Sequence, residues 1–345
     1  MTSTPFVSLI LPIRNEARYV ERCLNAILAQ DYPVDRMEIF VVDGMSTDGT
    51  LNLVTQSAIR NPQFTILENP AHIVPTGLNR ALCQAKGDII VRVDGHCELA
   101  PDYIRRCVEH LRHEKVDVVG GPIETVGETP LAQAIASGMS SKFGVGGAAF
   151  RTIHDRAMWV DTVAFPAFTR KAIERTGLFD EELVRNQDDE YSYRLRKWGG
   201  KILLAPDVRS RYYSRSSLGS LWRQYFQYGY WKVRVLQKHP KQMSLRQFIP
   251  PLFVAALMGS LFLSVLTTPG KILFALIGGI YLLANLAASI LTAARRGWQT
   301  LPLLPLVYAI LHTAYGLGFL TGLVRFANRW GDKTGRVPDF RPADA

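Results

Sequence analysis

Short apolar runs alternate with segments of helical periodicity in the first third of the chain. The apolar runs, each of which predicts a buried strand, lie at residues 7–11, 38–42, 65–67 and 89–93. The segments that predict helices follow them at 17–30, 49–60, 76–85 and 102–113. Because strands that alternate with helices usually pair in parallel, this order predicts an α/β fold with a mostly parallel, Rossmann-like sheet.

The pattern becomes less regular after this region. It predicts strands at 116–120 and 159–164, a glycine-rich loop at 143–148 and a helix at 188–198. A further segment, 217–238, places aromatic and aliphatic side chains at helical spacing beside several cations. Two interpretations of this helix remain open: an amphipathic helix at a membrane surface, or a helix that packs against another part of the protein.

Three later stretches contain no Asp, Glu, Lys or Arg, and they lie at 249–268, 272–294 and 301–324. Each is long enough to cross a bilayer, which takes about 20 apolar residues. The predicted organisation is therefore an α/β domain at 1–215, an amphipathic interfacial segment at 216–247, a membrane domain with about three hydrophobic segments at 248–325 and a basic tail at 326–345.

The cations around these segments indicate which ends face the cytosol. Lys241, Arg246, Arg295 and Arg296 place the start of the first segment and the loop after the second on the cytosolic side. Three full crossings would leave the cations of the tail outside, against the positive-inside rule: Arg325, Arg329, Lys333, Arg336 and Arg341. Either the tail is an exception or one segment is re-entrant. Prolines and glycines interrupt the third segment, which makes it the suspect one.

The beginning of the chain carries no signal-peptide pattern. Residues 1–5 lack a cationic run, and the apolar stretch at 6–13 is too short for a signal peptide. We therefore expect the catalytic domain to face the cytosol, attached to the inner (cytoplasmic) membrane by a multi-pass anchor.

The net charge of +10, the four cysteines and the residues after the first strand indicate the kind of partner, the redox compartment and the class of enzyme that are possible. Many of the cations flank the hydrophobic segments, so anionic lipid is a simpler partner than nucleic acid. The cysteines form no CxxC pair and no zinc-type spacing, which is typical of a reduced compartment. No GxGxxG follows the first strand, which argues against a dinucleotide-dependent oxidoreductase.

Acidic residues follow the predicted strands, at the sheet edge where parallel α/β folds bind ligands. They are Asp43 and Asp48 after the second strand, Asp94 after the fourth, and Asp188, Asp189 and Glu190 at the start of a later helix. Taken singly, an aspartate after a strand is more often a helix cap or a turn residue. The sequence motifs around these residues are more specific evidence of function than any single aspartate.

Several motifs, in this order, resemble the inverting family 2 glycosyltransferases of GT-A fold. They are SLILPIRNE at 8–16, VVDGMSTDGT at 41–50, GLNRA at 77–81, GDIIVRVDGH at 87–96 and GLFDEELVRNQDDEYSYRLR at 177–196. The resemblance extends over about residues 6–235. Within the family, the runs VDTVAFPAF and FDEELVRNQDDE are most similar to the succinoglycan-type exopolysaccharide glycosyltransferases.

The resemblance implies a site for a nucleotide-sugar donor, expected to be UDP-linked. Asp94 and His96 occupy the family's DxD position, where Mg²⁺ or Mn²⁺ binds beside the leaving diphosphate. A surface histidine without a metal contact is the alternative for His96. The donor-binding residues that the resemblance implies, in addition to Asp94, are Asp43 at the uracil ring, Pro12, Arg14 and Glu16 around the nucleoside, and Asn79 and Arg80 on the diphosphate side.

An inverting transfer also needs a base that takes the proton of the acceptor hydroxyl. The resemblance assigns this catalytic role to Asp188, with Asp189 as the alternative, and like charges at Asp189 and Glu190 are expected to raise the pKa values of the cluster. The acceptor-binding residues that it implies, similar to the QxxRW signature of processive synthases, are Gln227, Tyr230 and Trp231. Tyr230 replaces the arginine of that signature, so processivity stays open. Packing within an aromatic helix is an equal alternative for these three residues.

The predicted function is transfer of a sugar from a nucleotide sugar to a lipid-linked (polyprenyl diphosphate) saccharide in exopolysaccharide or cell-surface glycan synthesis. Two alternatives remain: a transferase that glycosylates a polyprenyl phosphate directly, and a catalytically silent membrane scaffold. The joint presence of Asp43, Asp94 and Asp188 argues against the scaffold.

Overall fold

The architecture comes from a computed structural model that describes residues 4–214 and 216–340. The strands in these residues are β1 Val7–Ile13, β2 Met37–Asp43, β3 Phe64–Glu68, β4 Ile89–Arg92, β5 Cys97–Leu99, β6 Val118–Gly121, β7 Ile123–Val126, β8 Met158–Trp159, β9 Ala164–Thr169, β10 Ile202–Leu204 and β11 Ser210–Tyr213. The α-helices are α1 Val20–Leu28, α2 Thr50–Arg60, α3 Val74–Leu82, α4 Tyr103–His113, α5 Pro130–Met139, α6 Lys142–Val145, α7 Ala149–Thr152, α8 Arg170–Thr176, α9 Gln187–Lys197, α10 Leu218–Lys238, α11 Ile249–Leu266, α12 Thr268–Arg296 and α13 Leu304–Arg325.

The main sheet has eight strands in the order β3-β2-β1-β4-β9-β6-β10-β8. Strands β3, β2, β1 and β4 pair in parallel, as do β6 and β10. Strand β9 runs antiparallel to β4 and β6, and β8 runs antiparallel to β10. A smaller sheet has the order β5-β11-β7. The predicted mostly parallel α/β fold is confirmed, with β8 and β9 as its antiparallel members.

Aliphatic side chains of the central strands form the core of this sheet. In β1 the consecutive residues Leu9, Ile10 and Leu11 are all buried, as are Ile39 and Val41 in β2. Such continuous apolar runs are typical of parallel strands that are covered on both faces. Helix α3 packs on β1 and β2, and α4 packs on β6 and β9. Because β2, β1 and β4 are parallel neighbours in the sheet, their carboxyl ends lie side by side at one sheet edge.

Two sequence predictions in the irregular region are wrong. The strand expected at 159–164 is instead a connection between β8 and β9, because Asp161 and Thr162 turn their side chains to α9. Asp161 pairs with Arg196 at 2.7 Å, and Thr162 accepts a hydrogen bond from Ser192 at 3.1 Å. The loop expected at 143–148 begins inside α6, since the hydroxyl of Ser141 caps that helix.

The chain divides into two compact units. The sheet unit comprises Met1–Glu124, Ile153–Tyr212 and Gly335–Ala345, and the helical unit comprises Thr125–Thr152 and Tyr213–Thr334. Residues 341–345 of the predicted basic tail, with Arg341, lie outside the described residues. The domain bounds at 215, 247 and 325 stay a prediction, since compactness alone does not define functional domains.

The helical unit contains three helices that are long and apolar enough to cross a membrane, at Leu245–Leu266, Thr268–Arg296 and Leu304–Arg325. They correspond to the three uncharged stretches of the sequence. The backbones of helices α10 and α13 of this unit approach each other closely at two glycines. A Cβ atom at Gly229 would overlap with the carbonyl of Tyr315, and one at Gly318 would overlap with the carbonyl of Phe226.

Several cations of α10 are buried and do not face lipid, contrary to the expectation from net charge. Lys232, Arg234 and Lys238 are nearly inaccessible. The guanidinium of Arg234, with no exposed surface, donates to Gln237 at 2.6 Å and pairs with Asp332 at 3.4 Å. A buried cation needs such partners because its desolvation is costly. The contact of Arg234 with Asp332 therefore connects α10 to the segment that follows α13.

Candidate active site

The loops that follow β1 and β2 are joined by hydrogen bonds at the carboxyl edge of the sheet. The backbone N–H of Asn15 donates to the hydroxyl of Ser46 at 3.0 Å, and the side chain of Asn15 accepts from the N–H of Thr47 at 2.9 Å. The N–H of Glu16 donates to the hydroxyl of Thr50 at 2.8 Å. The two loops therefore form one wall of a site.

Asp43 ends β2 and is buried, with both carboxylate oxygens used locally. One oxygen accepts from the hydroxyl of Ser46 at 2.5 Å, and the other accepts from the N–H of Ser46 at 3.0 Å. The carboxylate thus closes the turn after β2. Of the nearby residues with predicted donor contacts, Pro12 is half-buried and Arg14 is exposed. Their roles at the nucleoside stay predictions.

Arg92 lies at the end of β4 and connects two of the predicted functional carboxylates. Its side chain is only 10% exposed. One guanidinium nitrogen donates to Asp94 at 3.0 Å, and the other donates to Asp188. Sequence reasoning did not select this residue. The available signal was a charge inside the apolar run IIVRV, because a buried cation requires acidic partners.

This arrangement shifts the pKa values of all three groups. Desolvation would lower the pKa of Arg92, but Asp188 and Asp94 outweigh it and the net shift is upward. Burial would raise the pKa of Asp94, but Arg92 and His96 outweigh it and hold that pKa below its ordinary value. Desolvation raises the pKa of Asp188, and the nearby Asp94 and Asp189 add to the rise, while Arg92 opposes it. The upward direction agrees with the expectation for Asp188.

His96 is held by Glu16 across the site. Its Nδ1 lies 2.8 Å from the Oε1 of Glu16, and both side chains are mostly buried. The ring of Tyr212 packs edge-on against the imidazole at 4.9 Å. In the neutral tautomer whose Nδ1–H donates to Glu16, Nε2 keeps its lone pair. The structure therefore places Glu16, predicted to bind the nucleoside, in contact with the predicted metal ligand.

The residues at this edge fit a divalent cation that is shared with a bound phosphate. No group of three His, Cys, Asp or Glu side chains that could hold a metal occurs within residues 4–214 and 216–340. Asp94 and His96 supply one carboxylate oxygen donor and one imidazole nitrogen. Mg²⁺ sites at phosphates commonly use one or two protein ligands, with the phosphates and water completing the shell. A carboxylate behind the imidazole, as Glu16 provides, is the usual support of a histidine ligand.

Helix α9 presents Asp188 to this site, whereas its neighbour Glu190 has an internal role. Glu190 is buried and pairs with Arg194 at 2.7 Å. The same arginine donates to the carbonyls of Thr176 and Leu178 at 2.7 and 2.8 Å. The ion pair therefore ties α9 to the segment that precedes it. Asp188, two residues before Glu190, is the carboxylate that reaches Arg92.

Asn79 on α3 is buried and hydrogen-bonded within the protein. Its amide group donates to the carbonyl of Phe179 at 2.9 Å and to Glu181 at 3.0 Å, and its carbonyl accepts from the N–H of Phe179 at 2.8 Å. The residue thus holds the turn between α8 and α9 on α3. The next residue, Arg80, is exposed. Diphosphate binding by either residue stays a prediction.

The residues predicted to bind the acceptor lie on α10 in the helical unit. Tyr230 packs on Phe326 with 4.9 Å between ring centroids, and Trp231 packs on the same ring at 5.8 Å. Gln227 is half-buried. Tyr230 and Trp231 thus take part in an aromatic cluster, and whether they also contact an acceptor stays a prediction.

The family is identified by comparison with known proteins. The family model described as glycosyl transferase family 2 matches residues 8–177. The chain belongs to glycosyl transferase family 2 and is a glycosyltransferase. The predicted family is therefore confirmed.

Two curated relatives align over nearly the whole chain. Succinoglycan biosynthesis protein ExoA of Rhizobium meliloti (strain 1021) is 29% identical over 331 residues, which is 95% of this chain and 98% of the relative. A Methanococcus voltae enzyme, dolichyl N-acetyl-alpha-D-glucosaminyl phosphate 3-beta-D-2,3-diacetamido-2,3-dideoxy-beta-D-glucuronosyltransferase, is 27% identical over 93% of this chain and 98% of its own. The likeness to a succinoglycan biosynthesis protein agrees with the predicted subgroup.

A solved structure supports the fold independently. The mannosyltransferase PcManGT from Pyrobaculum calidifontis, in complex with GDP-Man and Mn²⁺, superposes with a TM-score of 0.59 at 22% identity. It covers 92% of this chain and 88% of its own. The GT-A fold expected from the sequence is thus confirmed.

We expect Asn79→Ala to destabilise the sheet unit. The substitution leaves the buried N–H of Phe179 without its acceptor, and an unsatisfied buried group costs about 1–3 kcal/mol. The melting temperature of the full chain in detergent should therefore fall by several degrees. Arg80→Ala, a change at the exposed neighbour, should leave the melting temperature unchanged. Unchanged melting together with weaker nucleotide binding in Asn79→Ala would contradict the structural role and favour the predicted diphosphate contact.

Proposed function

We propose that this family 2 enzyme transfers a sugar from a nucleotide sugar to a lipid-linked saccharide at the cytoplasmic surface of a membrane, with inversion at the anomeric carbon. One observation carries the assignment of the site. The guanidinium of Arg92 contacts both Asp94 and Asp188, so the proposed metal ligand and the proposed base lie within one side chain's reach of each other.

Asp94 and His96 would hold a divalent cation, Mg²⁺ or Mn²⁺. When bound, the cation neutralises charge that develops on the departing diphosphate. Glu16 holds His96 so that Nε2 is available, while Arg92 keeps Asp94 ionised. The complex of the Pyrobaculum calidifontis mannosyltransferase with GDP-Man and Mn²⁺ supports this class of donor and metal.

Asp188 is the proposed base. Its carboxylate accepts the proton of the acceptor hydroxyl as that oxygen bonds to the anomeric carbon. The bond from the anomeric carbon to the diphosphate breaks on the opposite face, and the nucleoside diphosphate leaves with the electron pair. A raised pKa brings a carboxyl group closer to the operating pH of a general base. Arg92 orients the carboxylate and limits that rise.

The remaining donor contacts are proposed on the wall formed by the loops after β1 and β2. Pro12, Arg14 and Asp43 would surround the nucleoside, and the exposed Arg80 could reach the diphosphate side. The turn that Asp43 closes fixes this wall before the donor binds, and such preorganisation lowers the entropy cost of positioning a substrate.

The proposed acceptor is a saccharide carried by a polyprenyl lipid. Two observations support it: the apolar helices of the helical unit, and the name of the Methanococcus voltae relative, which refers to a dolichyl-phosphate-linked sugar. Gln227, Tyr230 and Trp231 on α10 are the proposed acceptor contacts.

The function can be tested with the purified full chain in lipid nanodiscs. Radiolabelled UDP- and GDP-sugars are offered with either a polyprenyl phosphate or a lipid-linked saccharide, and the lipid products are separated. We expect label on the lipid-linked saccharide, loss of transfer in excess chelator and recovery with Mn²⁺. Transfer to the bare polyprenyl phosphate would support the alternative acceptor. Undiminished turnover in chelator would contradict the metal.

We expect Asp188→Asn to lower the chemical rate by about 10²- to 10⁴-fold, the usual contribution of a general base. Donor affinity, measured by calorimetry with the intact nucleotide sugar, should change little. Asp189→Asn is the matched control and should retain most of the rate. A rate loss confined to Asp189→Asn would transfer the role to that residue, and full activity in both variants would remove the base from this helix.

A further inference from the structure

The three apolar helices of the helical unit differ in how much protein covers them. The protein buries 17% of the apolar stretch that contains α11 and 11% of the apolar stretch of α12. For α13 the buried share of the apolar stretch is 44%. Large side chains of α11 and α12, such as Phe262, Val265, Ile280 and Leu283, are more than half exposed. A hydrocarbon environment suits the first two helices, whereas α13 already has protein neighbours.

Helices α11 and α12 form a tight hairpin, and each is long enough to cross a membrane. They are separated only by Thr267, whose side chain caps α12 by accepting from the N–H of Gly270 at 3.0 Å. The 18 residues of α11 span about 27 Å, close to the thickness of the hydrocarbon core. Lys271 is near the turn, while Arg246, Arg295 and Arg296 lie at the open end. This charge asymmetry follows the positive-inside rule with the open end in the cytosol.

Helix α13 packs on α11 and α12, but its most extensive contact is with α10. Its C-terminal half contacts α10 through Gly318 and Gly322, and α10 carries Arg223, Lys232, Arg234 and Lys238. Among the described residues, α10 is not one of the helices that are long and apolar enough to cross a membrane, and cations in a membrane helix are costly. A membrane-spanning α13 would draw its partner α10, with these cations, into the bilayer. The cost argues against a span at α13.

The N-terminal half of α13 is attached to the short helices α5 and α6. The hydroxyl of Tyr308 donates to Ser141 at 2.9 Å, and the Nε2 of His312 lies 2.8 Å from the carbonyl of Phe143. A Cβ atom at Gly138 would lie 2.7 Å from a methyl group of Val307. Protein thus covers α13 over both of its halves.

The segment after α13 returns to the sheet unit. The backbone N–H of Arg336 donates to Asp180 at 2.8 Å, and the carbonyl of Arg336 accepts from the N–H of Glu181 at 2.9 Å. The sheet unit contains both the beginning of the chain and this tail. Both must therefore lie on one side of the membrane, which requires an even number of crossings.

We propose that the chain crosses the membrane twice, through α11 and α12 alone, and that α13 lies at the cytoplasmic surface as a protein-packed helix. The exposed apolar faces of the hairpin are then occupied by bilayer lipid. The tail cations Arg325, Arg329, Lys333 and Arg336 are all cytosolic, so the conflict with the positive-inside rule disappears. The proposal rests on the membrane attachment in the proposed function and does not depend on its chemistry.

Single cysteines in the full chain test this topology. The four native cysteines, Cys23, Cys83, Cys97 and Cys107, are first replaced in a background that is checked for membrane insertion. Cysteines are then introduced one at a time by Thr268→Cys at the hairpin turn, Gln299→Cys between α12 and α13, and Asp339→Cys in the tail. These positions are all exposed. A membrane-impermeant maleimide is applied to sealed right-side-out and inside-out vesicles, and labelling in detergent gives the total.

We expect Thr268→Cys to react only in right-side-out vesicles, and Gln299→Cys and Asp339→Cys only in inside-out vesicles. Labelling of Asp339→Cys from the outer face would show that α13 crosses and would overturn the proposal. Labelling of Thr268→Cys from the inner face, or from neither face, would show that the hairpin does not cross and would also overturn it. Since labelling needs no turnover, these outcomes are independent of whether the proposed transfer is observed.

Discussion

The arrangement of the site depends on one buried cation, Arg92, between two carboxylates. Without Arg92, Asp94 and Asp188 would be like charges with no cation between them, and at least one would tend to take up a proton. With Arg92 present, the pKa of Asp94 stays low while that of Asp188 is raised. The two carboxyl groups thus have different proton affinities, and this difference matches the proposed roles of a metal ligand and a base.

The same constraint, that a charge cannot be left without a partner in an apolar place, governs the helical unit. Arg234 is fully buried and bonded to Gln237 and Asp332, which holds α10 inside the protein. Because α13 packs on α10, we exclude α13 from the proposed membrane anchor, which then consists of the hairpin of α11 and α12. The residues proposed to bind the acceptor are on α10, beside that hairpin in the chain. A lipid-linked acceptor would then reach α10 from the membrane surface.

The sequence predicted what depends on local periodicity and failed where distant residues meet. The strands that precede Asp43 and Asp94 follow from apolar runs, and the uncharged stretches follow from composition. The contacts of Arg92 with Asp188, Glu16 with His96 and Asn79 with Phe179 join residues 96, 80 and 100 positions apart. Prolines and glycines made the third apolar segment suspect, but the proposed even number of crossings rests on the contact of Arg336 with the distant Asp180. The strand expected at 159–164 failed because two of its side chains bond to α9.

The central claim, that Arg92 keeps the proposed base Asp188 ionised, is tested most directly by the pH dependence of kcat with saturating donor, acceptor and metal. Asp188 must be deprotonated to act, and Arg92 lowers a pKa that desolvation raises. Removal of the cation in Arg92→Met should therefore raise that pKa, so that activity is lost at a higher pH on the acid side than in the unmodified enzyme. Arg92→Lys, which keeps a charge, should shift this acid limb less. An acid limb at the same pH in all three proteins would contradict the account.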